Sequence, residues 1–157
     1  MKLTKDNSLP ILDELIANSG AMTAVLVTKE GYNMVSAGDV SYLNTTALAA
    51  LVAGMFSATR AVATMVGEKQ FSILLQQGKT RNIHISLIND SIMMVIVFEN
   101  HQRIGKVRME AQKAGDAMIA ILAAPEPGEE KRPDLAAPEF KEYALALVDM
   151  IFSAKKA

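Results

Sequence analysis

The element order legible in the sequence predicts an α/β fold: a helix, two strands, a long helix, three strands and a helix, then a linker and a last helix. Three observations carry this prediction. Ile92-Met93-Met94-Val95-Ile96-Val97-Phe98 is apolar at every position, as expected of a strand in the middle of a sheet covered on both sides. Ile83, Ile85 and Leu87 alternate with Asn82, His84 and Ser86, the period-two pattern of a strand with one drier face. Asn44 to Val66 is long, rich in Ala and Leu, and followed by Gly67, which predicts a helix and its stop.

The remaining elements follow from local signals. Ser8 as cap, Pro10 in the opening turn and Gly20 past the end predict a first helix over Leu9 to Asn18, with Ile11, Leu12, Leu15 and Ile16 on one face. Met22 to Thr28 and Tyr32 to Ala37 form a hairpin across Lys29-Glu30-Gly31. Phe71 to Gln76 is the third strand, and Asn100-His101-Gln102-Arg103 is a polar loop. A helix between Ile104 and Ala123 turns Val107, Ala111, Ala114, Met118, Ile121 and Leu122 inward. Pro125 to Pro133 has no apolar side chain larger than proline and predicts a linker. After Pro138, an amphipathic helix carries Phe140, Tyr143, Ala144, Leu147 and Ile151 on one side. The expected organisation is therefore a domain over 1–123, a Pro/Glu-rich linker over 124–137 and a tethered helix over 138–157.

Composition narrows the function classes. The chain has 157 residues, 16 Lys+Arg and 17 Asp+Glu, half of its residues hydrophobic and 21% charged. That length suits one domain with a core of its own, and the composition excludes global disorder. A balanced charge offers no electrostatic footprint for nucleic acid. No cysteine is present, so disulfides, thiol catalysis and thiolate zinc sites are excluded. No apolar segment at the start resembles a signal peptide, and the unbroken apolar runs are shorter than a membrane span. A cytosolic protein without membrane contact is the expectation.

The long helix is the most informative segment. At 100° per residue it carries three stripes. Leu48, Val52, Met55, Thr59, Val62 and Val66 form a bulky stripe expected to lie on the sheet; Ala47, Ala50, Gly54, Ala58 and Ala61 form a small-residue stripe. Thr46, Ala53, Ser57, Arg60 and Thr64 form a weakly polar third stripe, with Arg60 the one charge between Asn44 and Val66. Either the helix is buried in a monomer's core, or it packs on its sheet and also on a second protein. The apolar cover exceeds what one sheet face can use, which favours the interface.

Catalytic constellations are missing. There is no Gly-x-Ser-x-Gly, and His84 and His101 lack a metal-ligand spacing; both are expected to be surface histidines. Gln77-Gly78-Lys79-Thr80 ends like a P-loop, but Ile73 stands where the upstream Gly belongs. Glu129-Glu130 falls in the linker, which provides no shielded acid–base pair. Arg60 is the one candidate for an arginine finger, against the plainer role of a solvating charge. No polar cluster converges to line a small-molecule pocket. These residues point to a binding or regulatory module without metal or cofactor.

The chain resembles the Roadblock/dynein light chain family, and its wording is similar to the bacterial MglB-like branch. The resemblance rests on Leu48-Ala49-Ala50-Leu51-Val52-Ala53-Gly54, Ala58-Thr59, Ala63, Gly67-Glu68 and Phe71, then Gln77-Gly78, Val95-Ile96-Val97-Phe98 and Ile104-Gly105-Lys106-Val107-Arg108. It covers roughly Gly20 to Leu122. It implies a Roadblock-type α-β-β-α-β-β-β-α sandwich with a five-stranded antiparallel sheet, plus the C-terminal tethered helix. It further implies a homodimer in which two sheets join and two central helices pair.

The partner implied is a small Ras-like GTPase of the MglA type, in cell polarity or gliding motility. The implied activity is GTPase activation that repositions the partner's own catalytic residues; the alternative is a scaffold that binds without stimulating turnover. Laid over that architecture, helix geometry assigns Ala53, Phe56, Ser57, Arg60 and Thr64 to the GTPase face, with Phe140, Leu147 and Ile151 on the tethered helix. Ala47, Ala50, Gly54, Ala58 and Ala61 are assigned to the dimer. Two residues depart from the branch's usual pattern: Met55, directed at the sheet, and Arg60, on the GTPase face.

Overall fold

The computed structural model describes residues 1–126, within which Lys2–Ala123 form one unit. Its elements are α1 (Lys5–Ser19), β1 (Thr23–Thr28), β2 (Asn33–Gly38), α2 (Thr45–Met65), β3 (Ile73–Gln77), β4 (Asn82–Leu87), β5 (Ile92–Phe98) and α3 (Ile104–Ala123). The expected linker and tethered helix, including Phe140, Leu147 and Ile151, lie outside the described residues.

All strand pairings are antiparallel, and the order across the sheet is β2-β1-β5-β4-β3. The fold class expected from the sequence is observed. β5 takes the central place that its unbroken apolar run requires, and all seven of its residues are buried. Alternation along β1 and β5 divides the core in two. Leu26, Met94, Ile96 and Phe98 pack with Leu12, Leu15, Val107 and Met118 of α1 and α3. Val25, Val27, Met93 and Val95 pack on the other face with Ala49, Val52 and Phe56 of α2. Burying each large side chain contributes about 1.5–3 kcal/mol.

The first helix begins earlier than its sequence suggests. Thr4 is the cap: its hydroxyl accepts from the Asn7 N–H at 3.3 Å while the Asn7 side chain accepts from the Thr4 N–H at 2.7 Å. This reciprocal pair satisfies two helix-end donors, so Ser8 lies buried within the helix instead of capping it. Gly20 closes α1 in the left-handed conformation, as expected. Asn44 caps α2 through its side-chain oxygen, 3.0 Å from the Ala47 N–H. The expected polar loop before α3 is a 3-10 turn over His101–Arg103, capped by Asn100.

Two expectations are overturned by packing. His84 was expected at the surface, but α3 covers that face of β4 and leaves the ring 2% exposed. The bulky stripe expected beneath α2 follows the sheet only in part. Val52 is buried and Leu48, Met55 and Thr59 are half-buried, whereas Val62 and Val66 are exposed and Ala49, Phe56 and Ala63 take the inward positions. The inward line of the helix is thus rotated relative to the predicted one. On the opposite face, Glu110 of α3 is buried against α1. Burial raises its pKa, but the Asn18 amide at 3.4 Å and the ammonium groups of Lys113 and Lys106 outweigh that and hold it below the ordinary value.

Candidate functional site

The outer side of α2 is apolar and uncovered by the rest of the domain. Ala47, Ala50, Gly54, Ala58 and Ala61, the small-residue stripe, are all exposed. Beside them Leu51 is 69% exposed, Met65 85% and Val66 66%. This excludes the reading of α2 as a helix buried all round in a monomer. A Cβ added at Gly54 would meet nothing within 4 Å, so the protomer itself places no steric demand for glycine there. By length and composition α2 is apolar enough to cross a membrane, which the count of unbroken apolar runs had not revealed. Yet one flank packs on the sheet through Ala49, Val52 and Phe56. An exposed apolar face of this kind, continuous along a helix, marks an interaction surface.

A cleft of about 350 Å³ adjoins this face. Ala53, Phe56, Ser57 and Arg60 of α2 line one side, and the β1–β2 and β4–β5 turns contribute Lys29, Glu30, Asp90 and Ser91. Antiparallel pairing of Thr28 with Ile92 brings those two turns together, and the Lys29 N–H donates to the Ser91 carbonyl at 2.9 Å. Gly31, at φ 94°, lets the first turn press on the helix: a Cβ there would stand 3.2 Å from the Ala50 Cα. Arg60 donates to the Gln70 side-chain oxygen at 3.1 Å, and the Gln70 amide reaches Asp90 at 3.5 Å. The guanidinium is thus tied by a polar chain to the β4–β5 turn, and it remains exposed.

Of the residues assigned to a GTPase face, the cleft brings together Ala53, Phe56, Ser57 and Arg60. Phe56 differs from its expected place on the outer surface: it is 8% exposed and belongs to the core beneath α2. Thr64 is exposed one turn beyond Arg60, its hydroxyl donating to the Arg60 carbonyl at 3.1 Å. Met55 faces the sheet as expected, with the Gln76 amide against its sulfur at 3.2 Å. Sequence reasoning identified the two turns but not their convergence on α2, so Lys29, Glu30, Gln70 and Asp90 were missed. Among the described residues no group of three or more His, Asp or Glu could hold a metal ion. The cleft offers a guanidinium, two carboxylates and hydroxyls beside an apolar floor, which suits recognition of a polar protein surface.

A single exposed helix on one side of an antiparallel sheet, with two helices on the other, is the layout of a Roadblock-type module, a class that is generally regulatory or scaffolding. The Roadblock/LC7 domain model matches residues 9–98, and the chain belongs to that family. Within it the chain is similar to Myxococcus xanthus MglB, at 30% identity and a TM-score of 0.71, covering 78% of this chain and 98% of that one. The gliding protein MglB of Thermus thermophilus is 25% identical, with a TM-score of 0.71 over 77% of this chain and 92% of that one. An MglB described with a tetrameric arrangement shares the fold at 24% identity and a TM-score of 0.70, covering 77% of this chain and 91% of that one. No curated protein matches the sequence significantly.

Proposed function

We propose that the protein is a cytoplasmic, homodimeric regulator of a small Ras-like GTPase of the MglA type, acting as an activator in polarity or gliding motility. The observation that carries this reading is the uncovered apolar outer face of α2 beside the Arg60 cleft. Two copies pairing through Ala47, Ala50, Gly54, Ala58 and Ala61 would cover the small-residue stripe. Pairing would also leave Ala53, Ser57, Arg60 and Thr64 to meet the GTPase, with Phe56 supporting them from below. Likeness to MglB proteins in sequence and fold supports the choice of partner.

The activator has no catalytic side chain to donate in this reading. It binds the hydrolysis-competent conformation of the GTPase more tightly than the resting one, which raises the population of the reactive state. Arg60 serves recognition, since its guanidinium is already engaged by Gln70. Single-turnover GTP hydrolysis by an MglA-type GTPase, with and without excess of this protein, tests the proposal, with co-elution recorded alongside. Acceleration is expected. Arg60→Ala should change that acceleration by less than about tenfold, whereas removing a true arginine finger would cost on the order of a thousandfold or more. Co-elution without acceleration would establish the scaffold alternative, and no association in either nucleotide state would refute the partner.

A further inference from the structure

A second cavity, of about 310 Å³, lies on the opposite side of the sheet from α2, between α3 and the β3–β4 half. The register explains its opening. Ile73 pairs with Ser86 and Leu75 with His84, so these β3 side chains share the face that α3 covers, yet they are 41% and 42% exposed. α3 reaches β4 but leaves β3 uncovered. Ala111 and Gly115 on the flank of α3 are too small to fill the gap.

The floor of this cavity is polar in an unusual way. His84 is 98% buried by its 2% exposure, and neither ring nitrogen has a hydrogen-bond partner. The Ser86 hydroxyl beside it is buried and unpartnered as well. Leaving buried polar groups unpaired is unfavourable, so the cavity holds unspent hydrogen-bonding capacity. Burial, together with the positive charge of Arg108, pushes the His84 pKa below 6.5, outweighing a weak opposing effect of its own backbone. The ring is then neutral at pH 7, with one N–H donor and one bare acceptor nitrogen.

The wall has a direction. Arg108, Gln112 and Asp116 recur every four residues along α3 and line the cavity, so its rail runs from positive through neutral to negative over about 12 Å. Arg108 is the charge that His84 feels. Arg108, His84 and Ser86 thus line one cavity and offer it three hydrogen-bond donors. Ile88 and Ile119 offer apolar surface for the rest of a ligand. Asp116 at the far end repels a second negative charge.

We propose that this cavity binds a small monocarboxylate, its carboxylate held by Arg108, His84 and Ser86 and its apolar body lying along Ile88 and Ile119. The volume equals about ten waters' share of liquid, which limits the ligand to roughly ten heavy atoms. The site is independent of the GTPase reading, being on the other face of the sheet. It also supplies the convergent polar cluster that the sequence did not reveal: its members come from β4 and α3, more than twenty residues apart.

The chain has two histidines, so His101 serves as an internal control for His84. The full-length protein would be titrated at constant ionic strength with acetate, butanoate, hexanoate and benzoate, and with hexylammonium, while the imidazole nitrogen resonances are followed. A saturable change at His84 and not at His101, with at least one carboxylate and not with hexylammonium, is expected. Arg108→Gln, a change at an exposed position, should weaken that binding about tenfold. No saturable response to any carboxylate, an equal response to hexylammonium, or unchanged affinity in Arg108→Gln would overturn the proposal.

Discussion

The two faces of the sheet meet water differently. On one, α1 and α3 pack together and turn charged residues outward: Lys5, Asp6, Asp13 and Glu14 from α1, Lys106 and Lys113 from α3. On the other, α2 alone covers the sheet, and of its 21 residues Arg60 is the one that carries charge. Both faces bury an apolar core, so burial beneath the helices does not separate them. The difference lies on the outside. A helix that ends its job at the sheet spends its outer positions on solubility, whereas α2 spends them on Ala, Gly, Leu, Val and Met.

That contrast makes the two faces fail in different ways when mutated. The largest effect belongs to the α1/α3 core. Phe98→Ala, at a side chain 1% exposed, should cost about 3–5 kcal/mol in denaturant unfolding. Loss of under about 1 kcal/mol would mean that this core is loosely packed. On the α2 face, Gly54→Leu should separate folding from association. Because nothing lies within 4 Å of an added Cβ, the protomer should gain about 0.5–1 kcal/mol from the better helix former. The same side chain would hold two helices apart, and light scattering should report a monomer. An unchanged dimer mass would break the small-stripe argument and with it the asymmetry between the faces.

The smallest effect sharpens the comparison from the α3 side. His84 has a folded pKa below 6.5, so between that lowered value and 6.5 the unfolded chain binds more protons than the native one. The stability that His84 confers is therefore complete above pH 6.5 and falls as pH is lowered through the window. The thermal midpoint should decline over that range in the native protein. His84→Gln should flatten the decline, with Arg108 and Asp116, which line the same cavity, left in place. A midpoint that is independent of pH in the native protein would place His84 in water.

Local pattern made most elements legible. The seven apolar residues of β5 predicted both its limits and its central place, and the α3 range is observed as expected. The small stripe of α2 was legible as a stripe from spacing, because five small residues in register stand out against bulky neighbours, but its assignment to a dimer followed from the resemblance. The inward stripe was less legible. Val62 and Val66 are as apolar as Val52, so sequence supplied the helical period without its rotational phase. Phe56 was misplaced for the same reason, since no charged face existed to orient the helix. The Arg60 cleft was half legible: its α2 residues share a face, but Lys29 and Asp90 reach it through strand pairing.

The sequence by itself determined the kinds and order of elements, the buried centre of the sheet and the shortage of charge on α2. Each follows from composition and period within one segment, where neighbours along the chain decide the outcome. Tertiary structure decided which side of α2 meets the sheet, that α3 hides His84, and that two distant turns close on Arg60. Those depend on where one element's surface ends relative to another's. A residue's polarity records its own cost of burial, but what finally covers it is set by the register and length of the elements packed above.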